Sequence, residues 1–491
     1  MKGIIRLLNR IVTYPFLVVF IAGIYPLIYY YDKNYALINS PSQLLFFLSF
    51  YLFIPATLSF LLVFGLKKIT KGKKYAKYLL PMFNLVVFFM LVTITLFGHD
   101  AFKITLALFL GLVFGRILSA HLVKVITIQL ILCVLVLPKL IPDLYRELVY
   151  SRDWMVQQDS IAEVKFRIKP NIYLIQPDGY TNFSDLNSRL YQIKNDRFED
   201  YLDSKGFVDY DDYRSNYATT LSSNSALFGM GHHYYGNRTF GINPSHNKRN
   251  EIVGDNPVLD IFKRNNYKTF LMLDVPYLLA NRPKVGFDYS NISLDEISFI
   301  SRGFSLQKNL LEDTKKAILS NKTTPNFFFI EAMQPGHIAT WKSNSGGIEK
   351  EAELYAQRLK NANDWLIELI EFIETEDPNS LIIIAADHGG YVGFEYMKQC
   401  EIKEDNPLLI ASIFSSALAI KWPNSNNGLY DTDLKTSVNL FRTVFSYLSD
   451  NQNYLKNLSE DKSYVIINQG APEGVYEYID ETGEIVFNKV P

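Results

Sequence analysis

Three stretches of the chain end an apolar run in side chains that can bind a cation. Asn171-Ile-Tyr-Leu-Ile-Gln-Pro-Asp178 ends in a carboxylate followed by Gly179. Leu381-Ile-Ile-Ile-Ala-Ala-Asp387-His388-Gly389-Gly390 ends in a carboxylate, an imidazole and two glycines. Asn326-Phe-Phe-Phe-Ile-Glu-Ala-Met-Gln-Pro-Gly-His337 ends in a turn and a histidine. Carboxylate oxygen together with imidazole nitrogen is a ligand set that suits zinc or manganese. The glycines after His388 would let the backbone turn sharply, so that Asp387 and His388 face one ion. Each stretch has a plainer reading by itself: Asp178 as the cap of a following helix, His337 as a hydrogen-bonded loop residue. Three such ends in one domain favour a shared cation.

A fourth stretch, Ser215-Asn-Tyr-Ala-Thr-Thr220-Leu-Ser-Ser-Asn-Ser-Ala-Leu-Phe-Gly229, reads as a polar loop running into a helix that begins at Thr220. A hydroxyl there sits at the positive end of a helix dipole, among backbone N–H groups free to hold an anion. Contact with a cation would stabilise its alkoxide and make it a nucleophile. Without such ligands, Thr219, Thr220, Ser222 and Ser223 would be an ordinary capping cluster.

These residues need a frame. From about residue 151 onwards, short apolar runs alternate with helical patterns. Strands are expected at Asn171–Gln176, Lys268–Leu273, Asn326–Glu331, Leu381–Ala385 and Ala417–Trp422. Helices are expected at Thr220–Met230, Pro257–Asn265, Leu306–Leu319, Glu349–Glu374 and Asp433–Leu448. The alternation predicts an α/β domain, a mostly parallel sheet sandwiched by helices, with the chemistry at the carboxyl ends of the strands.

The first 142 residues are different. Apolar runs near 13–31, 43–66, 78–98, 102–119 and 123–142 are each close to the ~20 residues that cross a bilayer. Of the 49 basic and 50 acidic side chains, 15 basic and 4 acidic fall in residues 1–150, so the two parts carry opposite net charge. This split excludes a single soluble globule, a disordered chain and a generic nucleic-acid binder, and no nucleic-acid partner is expected. Two cysteines, Cys133 and Cys400, exclude a disulfide framework and a Cys-rich zinc module. Lys2, Arg6 and Arg10 before the first span, and Lys67, Lys68, Lys71, Lys73, Lys74 and Lys77 after the second, mark cytoplasmic ends. Five spans starting inside leave the remainder outside the cytoplasm. The expected organisation is a transmembrane helical domain at 1–145, a linker at 146–167 and an extracytoplasmic catalytic domain at 168–491.

Taken together, the motifs resemble the alkaline phosphatase and sulfatase superfamily, in particular its membrane-anchored phosphotransferase branch. The resemblance covers most of residues 168–450. The strand ending in Asp178 is similar to the family's first metal-binding strand, and Thr220-Leu-Ser-Ser-Asn-Ser-Ala-Leu-Phe-Gly229 to its nucleophile helix. Met333-Gln-Pro-Gly-His337 resembles its Pro-His loop, and Asp387-His388-Gly389 its metal motif. Ser437-Val-Asn-Leu-Phe-Arg-Thr-Val-Phe resembles a helix near the domain's end in bacterial sulfatase-like membrane proteins. Five spans before an outer domain also look like lipoteichoic acid synthases and phosphoethanolamine transferases.

The resemblance implies that Thr220 is the covalent nucleophile, and that Asp178, Asp387 and His388 join it around one divalent cation (Mn, Mg or Zn). It leaves open a second cation, and gives His337 the transferred group or that second ion to hold. Thr220 with Ser223 fits the family's T-x-x-S stretch directly, whereas Thr219 fits through Ser222 only with every later residue shifted by one. The implied reaction moves a phospholipid-derived head group, of phosphoglycerol or phosphoethanolamine type, onto an envelope polysaccharide or glycolipid. The chain would be an integral protein of the bacterial inner membrane, with the phospholipid donor in its own leaflet. A phosphodiesterase or phosphatase with the same site, and a non-catalytic scaffold, are the alternatives. Two departures stand out. Sulfatases form formylglycine from a Cys or Ser opening Cys/Ser-x-Pro-x-Arg, and Thr220-Leu221-Ser222-Ser223-Asn224 has neither that residue nor the Arg. The Pro335-Gly336-His337 loop is one residue longer than usual. His232 and His233 offer further nitrogens but have no clear family counterpart.

Overall fold

The structure, a computed structural model, describes residues 2–68, 76–236, 238–425 and 430–491; Lys71, Lys73 and Lys74 of the basic loop lie outside them. The chain divides into two compact units, Met1–Val149 and Tyr150–Pro491.

In the first unit, four helical runs among the described residues are long and apolar enough to cross a membrane: Pro15–Ile38, Pro41–Leu66, Tyr78–Phe97 and Ala101–Leu148. The five expected spans therefore fall on four runs. The last two share a 48-residue run, because a 3-10 turn at Leu118–His121 joins them with no coil between. The chain nevertheless doubles back there. A Cβ on Gly111 would lie 2.5 Å from the Val86 Cα, and one on Gly115 2.4 Å from the Met82 Cα. Between those two positions, Asn84 exchanges amide hydrogen bonds of 3.1 and 2.9 Å with Gln129. Residues 113 and 129 would be ~24 Å apart along one straight helix, yet both flank the same turn of the Tyr78–Phe97 helix. The fourth and fifth legs are thus antiparallel, and the bundle has five. Asn84 also donates to the Val18 carbonyl at 2.7 Å, so this buried amide pair ties three legs together.

Among the described residues the second unit has ten strands: β1 Ile172–Pro177, β2 Val208–Asp209, β3 Lys268–Leu273, β4 Tyr289–Ser290, β5 Asn326–Ala332, β6 Leu381–Ala385, β7 Leu418–Lys421, β8 Ser463–Ile467, β9 Gly474–Ile479 and β10 Ile485–Lys489. Seven form one sheet in the order β2-β7-β6-β1-β5-β3-β4, in which only β7 runs against the rest. Strand alternation loads both faces. Phe328 and Ile330 enter the core beneath the long Ile348–Glu376 helix, while Phe327 and Phe329 enter the core holding the Thr220–Gly229 and Pro257–Arg264 helices. Because both faces of β5 are buried, its core positions read as a continuous apolar run, Phe327-Phe328-Phe329-Ile330, without polar alternation.

The helix expected at Asp433–Leu448 is shorter, a 3-10 turn at Ser437–Asn439 leading into Leu440–Ser449. A three-stranded antiparallel sheet, β10-β9-β8, closes the chain. The stretch read as a linker, 146–167, leaves the last apolar helix at Leu148 and belongs to the second unit from Tyr150 on, with Met155, Ile161 and Phe166 buried.

Candidate functional site

Strands β6, β1 and β5 are neighbours and parallel, so their carboxyl ends open at one edge of the sheet. Asp178 follows β1, Asp387 and His388 follow β6, and His337 follows β5. The backbone sews these ends together. Asp178 N–H donates to the Ala332 carbonyl and Gly336 N–H to the Asp178 carbonyl, both at 2.9 Å. Gly179, at φ +64°, lies so close to the His337 loop that a Cβ would sit 2.9 Å from the Gly336 carbonyl carbon. Gly389 and Gly390 serve differently from expectation. Neither has a positive φ. A Cβ on them would instead meet the Ser412 carbonyl oxygen at 2.2 Å and the Tyr355 ring at 2.5 Å, so close packing is what requires glycine there.

Asp178, Asp387 and His388 are all buried, and one ligand atom from each lies within 4.8 Å of the others. The Thr220 hydroxyl donates to Asp178 Oδ1 at 3.1 Å and lies 3.3 Å from His388 Nε2. His388 Nδ1 is 2.9 Å from the Gly389 carbonyl oxygen, which can only accept, so Nδ1 carries the proton and Nε2 turns its lone pair towards the carboxylates. Asp387 Oδ1 accepts N–H bonds from Gly179 and His388 at 3.0 Å each. Its Oδ2 is buried without a hydrogen-bond partner, 3.3 Å from His388 Nε2. Two carboxylates and a lone-pair nitrogen converging in a buried space repel one another unless a cation or a proton sits between them. The donor set fits a divalent ion.

Burial raises Asp387, against the pull of His388. Burial alone would lower His388, but the carboxylates of Asp387 and Asp178 outweigh it and the imidazole is raised. Burial, aided by the nearby His388, lowers His337 to about 4, so it is neutral at physiological pH.

Thr220 opens the Thr220–Gly229 helix, with Thr219 in extended conformation (φ −149°, ψ 151°) at the N-cap. The Thr219 side chain makes no cap bond and its hydroxyl turns to Ser222 at 3.1 Å, so it is Thr220 that faces Asp178 and His388. The uncapped first-turn N–H groups lie beside the Thr220 hydroxyl, where a helix N-terminus can hold an anion. The helix is held against β1 by Asn224, which exchanges amide hydrogen bonds of 2.7 Å with Gln176.

His337 borders this cluster and lies outside the Asp178, Asp387 and His388 group: its ring centroid is 5.7 Å from that of His388, and its Nδ1 is tied to the Ile338 carbonyl at 2.6 Å, which leaves the lone pair on Nε2. Arg358 fixes its loop through the Pro335 and His337 carbonyls at 2.8 and 3.1 Å. His232 and His233 do not join the site. His233 stacks on Tyr217 at 4.0 Å, Nε2 3.0 Å from the Ser222 carbonyl and Nδ1 accepting from Tyr235 N–H at 2.8 Å. His232 Nε2 lies 2.8 Å from the Glu460 carbonyl.

Sequence reasoning missed Glu331. It is fully buried on β5, and neither carboxylate oxygen has a hydrogen-bond partner. Burial, then Asp274, Asp178 and Asp387, raise it well above the ordinary range, with Arg249 opposing. Asp274, just past β3, also has one bare oxygen; the other accepts from Met333 N–H at 3.0 Å. A glutamate closing the run Phe-Phe-Phe-Ile-Glu was the available signal, since a core strand has no other use for a charge.

No protein-family model matches the chain, and no curated protein matches it. Solved structures similar to it include the C-terminal periplasmic domain of EcEptC from Escherichia coli, at 13% identity over 64% of this chain and 94% of that one, TM-score 0.42. The C-terminal periplasmic domain of phosphoethanolamine transferase EptC from Campylobacter jejuni is 16% identical over 57% of this chain and 90% of that one, TM-score 0.39. The integral membrane lipooligosaccharide phosphoethanolamine transferase A from Neisseria meningitidis is 13% identical over 85% and 77%, TM-score 0.42.

Proposed function

We propose that the chain is a membrane-anchored, metal-dependent phosphotransferase of the alkaline phosphatase and sulfatase superfamily. It moves a phospholipid head group, of phosphoglycerol or phosphoethanolamine type, through Thr220 onto a hydroxyl of an envelope glycan or lipid. The observation that carries this reading is the Thr220 hydroxyl, at a helix N-terminus, within 3.1 and 3.3 Å of Asp178 and His388.

Asp178, Asp387, His388 and Thr220 would hold one divalent cation, which lowers the pKa of the threonine hydroxyl and neutralises phosphoryl charge. Thr220 Oγ1 would form the new O–P bond as the bond from phosphorus to the lipid oxygen breaks, the lipid leaving as an alcohol with the proton that Thr220 gives up; an acceptor hydroxyl would then displace Oγ1 at phosphorus and return a proton to Thr220. Asp178 Oδ1 already accepts the Thr220 proton, and the helix N-terminus takes the phosphoryl oxygens. His337 lines the place of the transferred group. Glu331 and Asp274 are where a second cation would sit, since magnesium is commonly held by one or two carboxylates with water completing its shell.

The basic residues before the first leg and after the second favour a cytoplasmic N-terminus. Five legs then put the second unit on the outer side, where the donor is confined to the same leaflet. Incubating purified protein with head-group-labelled phospholipid and Mn²⁺ tests the reading. Transfer to an added glycolipid supports it, and label released only as water-soluble head group moves the assignment to a hydrolase. Label left wholly on the lipid contradicts both.

A further inference from the structure

We infer that the segment following the last apolar helix, residues 150–159, is a strap that sets the axial position of the nucleophile helix, with Trp154 and Gln157 as positioning residues for Thr220. The inference rests on the role given to Thr220 above.

The strap grips the far end of that helix. At Gly229, its last residue, a Cβ would lie 2.4 Å from the Trp154 ring, and at Gly231 one would lie 2.6 Å from the Trp154 carbonyl oxygen. The two glycines leave a notch that Trp154 fills, with its indole at Gly229 and its backbone carbonyl at Gly231. Gln157 Nε2 then donates to the Gly229 and Met230 carbonyls at 3.2 and 3.3 Å, occupying acceptors that a helix C-terminus leaves open. Gln157 is itself held by Arg442, Nη2 to Oε1 at 2.7 Å, and the same guanidinium holds Asp159 at 2.7 Å.

A second grip acts at mid-helix. Ser225 hydrogen-bonds Glu251, and Tyr150 of the strap donates to the other oxygen of that carboxylate at 2.8 Å. Glu251 is 1% exposed and paired with Lys248 at 2.8 Å, and the Lys248 ammonium lies 5.4 Å from the Trp154 ring centroid. Strap, ion pair and helix form one buried polar unit, in which each partner depends on the others.

At the other end, Thr219 makes no side-chain cap. The Asn224–Gln176 pair fixes the helix against β1. An axial shift at Gly229 that the Asn224 and Ser225 contacts do not absorb would be carried by this ten-residue helix to Thr220, where a ~1 Å displacement can cost about 100-fold in rate.

The test uses the full-length protein with Trp154→Ala and Trp154→Phe, read by kinetics, metal content and hydrogen exchange. The alanine variant is expected to keep its metal and its donor KM within about two-fold while kcat falls about ten-fold or more, and phenylalanine to restore most of it. Backbone exchange in 220–229 should quicken selectively in the alanine variant. Unchanged kcat and unchanged exchange, or exchange quickened evenly across the second unit, would overturn the strap. Wild-type protein without transfer would overturn the function assigned to Thr220, and exchange in 220–229 would then decide the strap alone.

Discussion

The Asp387 carboxylate accepts the backbone N–H of Gly179, the residue after Asp178, at 3.0 Å. One oxygen of a candidate ligand therefore locks the strand end that presents the other. The second oxygen has no hydrogen-bond partner and is free for a cation. On the proposed reading, fold and metal binding would draw on different oxygens of one side chain.

Asp387→Asn separates the two. The amide oxygen can still accept from Gly179, so the variant should fold with a melting temperature near that of wild type. Metal content should drop to near zero and kcat/KM by about 1,000-fold or more, as expected when an electrostatic site loses its ion. Elemental analysis of the purified variant beside its circular dichroism checks both halves.

Glu331→Gln keeps shape and removes the charge. In chelator-treated protein the variant should be as stable as wild type or more so, because a buried carboxyl without partners contributes nothing to stability. Adding Mg²⁺ should stabilise wild type more than the variant, with Mn²⁺ bound by both. Equal Mg²⁺ responses would remove Glu331 from metal binding.

Arg358 holds the His337 loop through the Pro335 and His337 carbonyls. Arg358→Ala should lower kcat/KM about ten-fold by loosening the His337 loop, with metal content intact. Loss of metal in this variant would mean that the loop holds the ion as well.

The pH dependence of stability has a source away from the site. Asp209, at the end of β2, is raised to about 7 by burial and by Asp203, Glu199 and Asp211, and its Oδ1 has no partner. The folded chain keeps a proton there that the unfolded chain releases at about pH 4. This contribution to stability is therefore full in acid, declines as pH rises and is lost above about 7. Asp209→Asn should gain on wild type between pH 5 and 7 and hold a constant lead, on the order of 1–2 kcal/mol given its partial exposure, at pH 8. Urea melts at the three pH values measure it.

Asp178, Asp387 and His388 were legible because each closes an apolar run, where a polar residue has little reason to be unless it faces a site. Thr220 was legible from the helix start it marks. Glu331 carries a similar signal, a charge closing Phe-Phe-Phe-Ile, but it still lies within its strand, and only the folded sheet shows that other carboxylates come near it. The five legs could be counted from hydropathy. Their fusion into four runs could not, since a 3-10 turn made of Leu118-Ser-Ala-His121 lacks the glycine or proline that usually signals a break. The strap was read as a linker because what makes it structural, the notch at Gly229 and Gly231, belongs to residues some 75 positions later.

The central claim is that Thr220 carries the transferred group. Full-length protein purified from its membrane, stripped of metal at the last step to stall turnover, would be digested and the peptide spanning 215–230 weighed, with Thr220→Ala in parallel. The account predicts an added mass of phosphoglycerol, phosphoethanolamine or phosphate on Thr220 in wild type and none in the variant. An unmodified Thr220 in protein that still transfers label, or the same adduct persisting in Thr220→Ala, would contradict it.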